Sequence, residues 1–415
     1  MGTVRSAVKL PPASFTLRHE AISFGILLIS LIVHWPVRNV AIAIKFSAPV
    51  MPTLGWLVAL FTPLDYSRAL QWLTFLLICA FPVSVYAFVI TLTNRRFAGI
   101  ASALVSLLPF FSTSRLLSAF FWGDTAHIVS LTFIPLGGVT LIRFLRSGGF
   151  RQALVASFMI ALVGLTSPFG LFVNFIFLSM VTFSEVVISE GRIKLFRFIT
   201  VSILGALMSQ FWYTLGFVRI LLTSDPGREL LTTIGNLIPL SFFLAPILGT
   251  AGFLLFEKRP RLQPFFIAGG LVVIFWLFSF AGRLSEGLYI SEQGRYQADL
   301  SMATSLFAGV IAIAAYRALE IWLGHLLAVR QRFLPALITA VVIGVTASIW
   351  LGYNETTQLV ANNDQVLGVF TEQIVGIGEI RQQTGLLDKF IGALVSGSTL
   401  GALIIASFRF PLRHA

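Results

Sequence analysis

Residues 120–170 read FFWGDTAHIVSLTFIPLGGVTLIRFLRSGGFRQALVASFMIALVGLTSPFG, and this stretch orients the rest of the chain. Asp124 and His127, three residues apart, open an apolar run over 125–145 whose far end carries Arg143 and Arg146, with Arg151 just beyond. Short cytoplasmic loops are enriched in Lys and Arg, so the basic end is expected inside the cell. Asp124 and His127 then lie at the outer surface, where an i, i+3 pair shares one helix face. A second apolar run, 152–166, returns the chain outward to Ser167-Pro168-Phe169-Gly170. Two membrane crossings and a basic inner turn follow from this stretch alone.

The composition agrees. Of the 415 residues, 57% are hydrophobic and only 11% charged, whereas a soluble domain carries about 25% charged residues. The chain is therefore expected to be an all-α, polytopic membrane bundle. An outer-membrane barrel would alternate apolar and polar residues along strands of roughly ten residues, and no such alternation occurs. The single cysteine, Cys79, lies inside an apolar run and excludes a disulfide framework or a thiol metal site. The net charge of +12 must be sorted by membrane side before it is read as affinity for nucleic acid.

Apolar runs of roughly 17–25 residues divide the chain into about twelve expected spans: 20–36, 70–93, 97–112, 125–145, 151–168, 170–188, 195–215, 234–256, 262–282, 299–321, 332–353 and 387–408. The short third span is the least regular, and Pro168 with Gly170 marks either a tight corner or a re-entrant break. With both termini inside, 19 of the 29 Lys and Arg fall on inner segments and only five of the 17 acids do, leaving +14 inside and −2 outside. That asymmetry accounts for the charge without nucleic acid and predicts an integral protein of the cytoplasmic membrane with cytoplasmic termini. Residues 1–19 are polar, with Arg5, Lys9 and Arg18. They lack the apolar core of a cleavable signal, so the first span is expected to remain.

The chain reads as a single transmembrane domain without a soluble one. Its outer loops, 37–69, 216–233, 283–298 and 354–386, are longer than connection requires and hold most of the acids, so chemistry is expected on the outer side. In the first of them Pro49 and Pro52 interrupt runs too short to span, which suits one or two helices lying along the interface. No phosphate-binding lysine loop, dinucleotide glycine run, paired metal-ligand histidines or nucleophile elbow is present, which weighs against a pump, a dehydrogenase and a serine hydrolase.

Charged groups in a membrane usually face protein or water, and they are candidate functional residues by default. Asp124 beside His127 could act as general base toward an acceptor hydroxyl, or hold a divalent cation with a diphosphate. It could equally cap the helix that follows it. Arg295 and Asp299, four residues apart in GRYQADL, suit an in-helix ion pair. Alternatively, Arg295 offers its planar fork to a lipid-linked phosphate. Arg115, Arg283 and Arg295 are outer-side arginines without an insertion role and so form the phosphate-binding candidates. Asp65, at the mouth of the second span, completes the catalytic candidates with Asp124 and His127.

The run Gly-Asp-x-x-His, then FIPL, the basic turn RFLRSGGFRQAL and LTSPFG, followed later by GRYQADLSMA, resembles the polytopic glycosyltransferases of the C superfamily (GT-C) and the bacterial membrane proteins related to them. The resemblance covers about 120–175 and 293–312. It implies sugar transfer at the outer face from a polyprenyl-phosphate donor to an acceptor, in the cell envelope. It assigns Asp124 and His127 to the second-loop motif and Arg295 to the late arginine. Those proteins place their principal catalytic carboxylate in the first outer loop, where residues 35–64 contain no Asp or Glu. Three readings stay open on the sequence: a transferase, a lipid or polysaccharide transporter, and a non-catalytic scaffold subunit with partner subunits.

Overall fold

The computed structural model describes residues 17–40, 48–188, 191–225, 228, 231–232, 235, 247, 249–252, 254, 260–284, 293–324, 330–362 and 378–409. All regular structure among them is helical. In chain order the helices are α1 (Leu17–His34), α2 (Val50–Phe61), α3 (Tyr66–Thr93), α4 (Arg96–Ser106), α5 (Pro109–Leu116), α6 (Thr125–Ser147), α7 (Phe150–Thr166), α8 (Pro168–Ile188), α9 (Gly191–Met208), α10 (Leu215–Thr223), α11 (Gln263–Leu284), α12 (Gln297–Gly324), α13 (Arg330–Asn362) and α14 (Leu386–Arg409).

Seven stretches among the described residues are long and apolar enough to cross a membrane, and α4 with α5 adds an eighth if their bent pair counts as one span. The expected twelve are not all of that kind, for local reasons. The pair α4–α5 is bent by 58° at Leu107-Leu108, where Pro109 opens the next helix. Helix α7 has 17 residues, about 25 Å at 1.5 Å per residue. Helix α9 carries Arg192, Lys194 and Arg197 in its first turns. Most of the expected span 234–256 lies outside the described residues.

Local chemistry sets the boundaries. Asp65 caps α3 by accepting from the Arg68 backbone N–H at 2.8 Å, and Asn94 ends α3 in the left-handed region at φ 54°. Gly148 closes α6 at φ 71°, a conformation that costs glycine little because it has no Cβ. The corner between α7 and α8 is the single residue Ser167, whose hydroxyl accepts from the Gly170 N–H at 3.0 Å. Pro168 occupies the first helical position, where its missing N–H is harmless. The tight-corner alternative is thus the one found. Pro82 and Pro135 sit inside α3 and α6, as membrane helices tolerate when neighbours or local adjustments satisfy the freed carbonyl.

Helix α6 is the centre of the bundle. It packs on α3, α7 and α8, while α12 packs on α4, α5 and α11. His127 faces Phe169, Gly138 faces Phe177, and Arg146 faces Glu185, so α6 and α8 lie side by side and run in the same direction. The close approach depends on Gly138, where an added Cβ would lie 2.6 Å from a Phe88 ring carbon and 2.7 Å from one of Phe177. Small groups also join α4 to α12, where the Ser102 hydroxyl donates to the Ser305 carbonyl at 2.6 Å. Such contacts suit lipid, where association relies on close packing rather than on hydrophobic burial. Helix α2, the expected interfacial helix of the first outer loop, rests on α3 and exposes Trp56, Leu60 and Phe61.

Gly138→Val tests this seam. Forcing a branched side chain between two buried rings should destabilise the protein by about 1–3 kcal/mol, read as a lower midpoint of thermal unfolding in detergent. Unchanged stability would mean that α6, α3 and α8 are not in contact there.

Candidate functional site

Four ionisable residues meet where the N-terminal ends of α6 and α12 come together, and they exchange the partners that sequence spacing suggests. Asp124 directly precedes α6 in the N-cap position, yet its side chain makes no capping hydrogen bond. Both carboxylate oxygens accept instead from Arg295 across the interface. The Arg295 Nε–H donates to Oδ2 in a short contact, and a terminal N–H donates to Oδ1 at 2.9 Å. Asp299 in turn does not pair with Arg295 one turn earlier. His127 Nε2 lies 3.1 Å from its Oδ1 and 3.3 Å from its Oδ2, and only the second contact has hydrogen-bond geometry.

The pairing follows from burial. Asp124, His127 and Asp299 are each 0% exposed and Arg295 is 7% exposed. An ion removed from water requires a partner with good geometry, and the two-oxygen match between a carboxylate and a guanidinium supplies it. Helix α6 places its acid and imidazole one turn apart, and α12 with its preceding turn does the same for its arginine and acid. Each group of one helix end finds its partner on the other, across the interface.

Aromatic rings close the site. The Arg295 guanidinium carbon lies 3.9 Å from the centroid of Phe169, an attraction that strengthens when desolvated. The edge of the same ring meets His127, with centroids 4.6 Å apart. Tyr296 packs on Phe169 at 5.2 Å and on Phe278 at 5.2 Å. Phe169 thus touches both ion pairs from the α7–α8 corner. Sequence reasoning missed Phe169 and Tyr296, although both sit inside the motifs it quoted, because an aromatic residue in an apolar chain carries no distinguishing pattern.

Two atoms of the quartet are left over. His127 Nδ1 and Asp299 Oδ1 are buried without a hydrogen-bond partner. A carboxylate only accepts, so His127 Nε2 donates in the Asp299 contact, and a ring protonated at that nitrogen alone presents a lone pair at Nδ1. Leaving a buried polar atom unpaired is unfavourable by about 1–3 kcal/mol. The O–H of a small hydroxyl-bearing group would satisfy one of these two acceptors.

The other candidates lie apart from this quartet. Asp65 is a largely exposed helix cap, 3.6 Å from the Arg68 guanidinium. Arg115 is buried at the α4–α5 break, donating to the Ser106 carbonyl at 2.5 Å and the Phe111 carbonyl at 3.3 Å with its guanidinium 4.0 Å from the Phe81 ring centroid. It satisfies a helix end that the bend leaves open. Arg283 falls in the last turn of α11, and its side chain lies outside the described residues. Among the described residues no three His, Cys, Asp or Glu side chains converge as metal ligands. A divalent cation at Asp124 would also face the Arg295 charge, so the donor set does not fit one. No protein-family model, curated protein or solved structure matches this chain.

Asp124→Asn keeps the shape of the side chain but leaves the Arg295 charge buried without its anion. It should destabilise the protein by about 3–5 kcal/mol, measured by thermal or denaturant unfolding in detergent. The apolar double replacement Asp124→Leu with Arg295→Met should recover most of that loss. A near-neutral Asn variant would instead indicate a plain helix cap.

Proposed function

We propose that this chain is a C-superfamily-like membrane protein that carries out group transfer at the outer face, with His127 as proton acceptor and Asp299 as the residue that orients it. The proposed topology has twelve crossings with both termini cytoplasmic. The proposed donor is a sugar on a polyprenyl phosphate. An acceptor hydroxyl would attack the anomeric carbon while the sugar–phosphate bond breaks. The hydroxyl proton would pass to His127 Nδ1, and the lipid phosphate would leave with the bonding electrons.

The observation that carries this reading is the unpartnered His127 Nδ1 on an imidazole whose other nitrogen is held by a carboxylate. A general base oriented by a third group has this arrangement. Taking up a proton brings the quartet from one net negative charge to none, so the site complements the charge that the step would create. The reading moves the base from Asp124, whose oxygens are both committed to Arg295, to His127. Asp124 and Arg295 then act as the fixed electrostatic frame beside it.

A second reading is favoured by a different observation. With all four groups buried and three of them wholly enclosed, the quartet also suits a non-catalytic subunit that keeps the pairing as a scaffold among partner subunits.

Proteoliposomes containing a labelled polyprenyl-phosphate hexose and a lipid acceptor distinguish the two. His127→Gln and Asp299→Asn should each lower transfer by about 10²–10⁴-fold, as loss of a general base does, with unfolding midpoints recorded alongside. Transfer by the variants at the wild-type rate would remove His127 from the chemistry. No transfer by the wild-type protein would favour the scaffold, and movement of label across the bilayer with the sugar–phosphate bond intact would indicate a transporter.

A further inference from the structure

The end of the bundle opposite the quartet holds a second charged cluster that the proposed transfer does not use. Helix α6 separates the two, and its 23 residues span about 34 Å at 1.5 Å per residue. At this end Glu185 of α8 is buried and accepts from three side chains. Arg146 donates to its Oε1 at 2.6 and 3.1 Å, Gln263 to the same oxygen at 2.9 Å, and Lys194 to Oε2 at 2.8 Å. Arg197 lies against the same turn, donating to the Leu145 carbonyl at 2.6 Å with its guanidinium over Gly148.

The cluster is strongly unbalanced. The two segments that meet here, 143–151 and 185–197, carry six Lys and Arg against two Glu. Arg143, Arg151 and Arg192, on the same segments, are exposed. The N-terminus of α9 opens at the same place, and the positive end of its dipole adds to the field. Directly along α9 the side chains of Ile193, Leu195, Phe196, Ile199 and Ile203 are exposed and apolar. A compact cationic rim thus continues, on one helix, into a greasy face.

We propose that this rim binds the phosphate of an anionic phospholipid in the leaflet on the basic side, with the acyl chains lying along α9. The charge excess selects an anionic headgroup, because cationic side chains at a bilayer surface attract anionic lipid. The adjoining apolar face selects a lipid over free phosphate, because each methylene buried against it contributes further. Glu185 acts as the competing internal anion that holds Arg146 and Lys194 in place, and the exposed arginines meet the headgroup.

The test uses the detergent-solubilised full-length protein titrated with short-chain phosphatidylglycerol, with phosphatidylcholine of the same chain length and inorganic phosphate in parallel, read as a shift in the unfolding midpoint. Phosphatidylglycerol should stabilise at lower concentration than either control. Arg143→Gln and Arg192→Gln change exposed residues, and each should weaken phosphatidylglycerol binding by about fivefold. Glu185→Gln removes the internal competitor and should strengthen that binding. Equal stabilisation by phosphatidylcholine or by inorganic phosphate would overturn the proposal. So would arginine variants that bind like the wild type, or weaker binding by a folded Glu185→Gln protein.

Discussion

Ions removed from water must find partners, and in this chain that requirement shapes the bundle. An isolated charge in the bilayer interior is unfavourable by at least about 2.5–3.5 kcal/mol even on permissive scales. This chain nevertheless buries an acid and an imidazole at the start of α6 and an arginine and an acid at the start of α12. Asp124 pairs with Arg295 and His127 with Asp299, which ties together residues 171 and 172 positions apart. Helix α6 is thereby fixed to α12, and Phe169, in contact with both pairs, brings in the α7–α8 corner.

The bundle is therefore polarised. At one end two buried acids face an arginine and a histidine beneath aromatic rings. At the other, a single buried Glu185 gathers Arg146 and Lys194 within a surplus of arginines. The same helix, α6, supplies the histidine of the first site and the arginine of the second, and α8 runs beside it from Phe169 to Glu185. Glycine at 138 lets the two helices lie close between these anchors.

Much of this architecture is legible in the sequence. Apolar runs about as long as a bilayer is thick identify seven of the helical stretches among the described residues. The motif residues Asp124, His127 and Arg295 do come together. Their pairing was not legible, because spacing rules see only neighbours on one helix and favour Asp124 as a cap and Arg295 with Asp299. Which helix ends meet is a tertiary fact, set by the turn before α12 and the one-residue corner at Ser167. The 58° break between α4 and α5 was signalled only by a short run and Pro109. Arg115, read from its side of the membrane as a phosphate ligand, serves the open carbonyls of that break. Asp65, a catalytic candidate by its place at the mouth of the second span, caps α3 apart from the quartet.

The pairing across the interface is measured most directly by two double-mutant cycles that share Arg295→Gln, one with Asp124→Asn and one with Asp299→Asn, each read by unfolding in detergent. A large coupling energy between Asp124 and Arg295, within the range of about 0.5–3 kcal/mol found for residues of one network, should accompany a much smaller one between Arg295 and Asp299. The reverse order, with Arg295 coupled to Asp299 on its own helix and indifferent to Asp124, would contradict it.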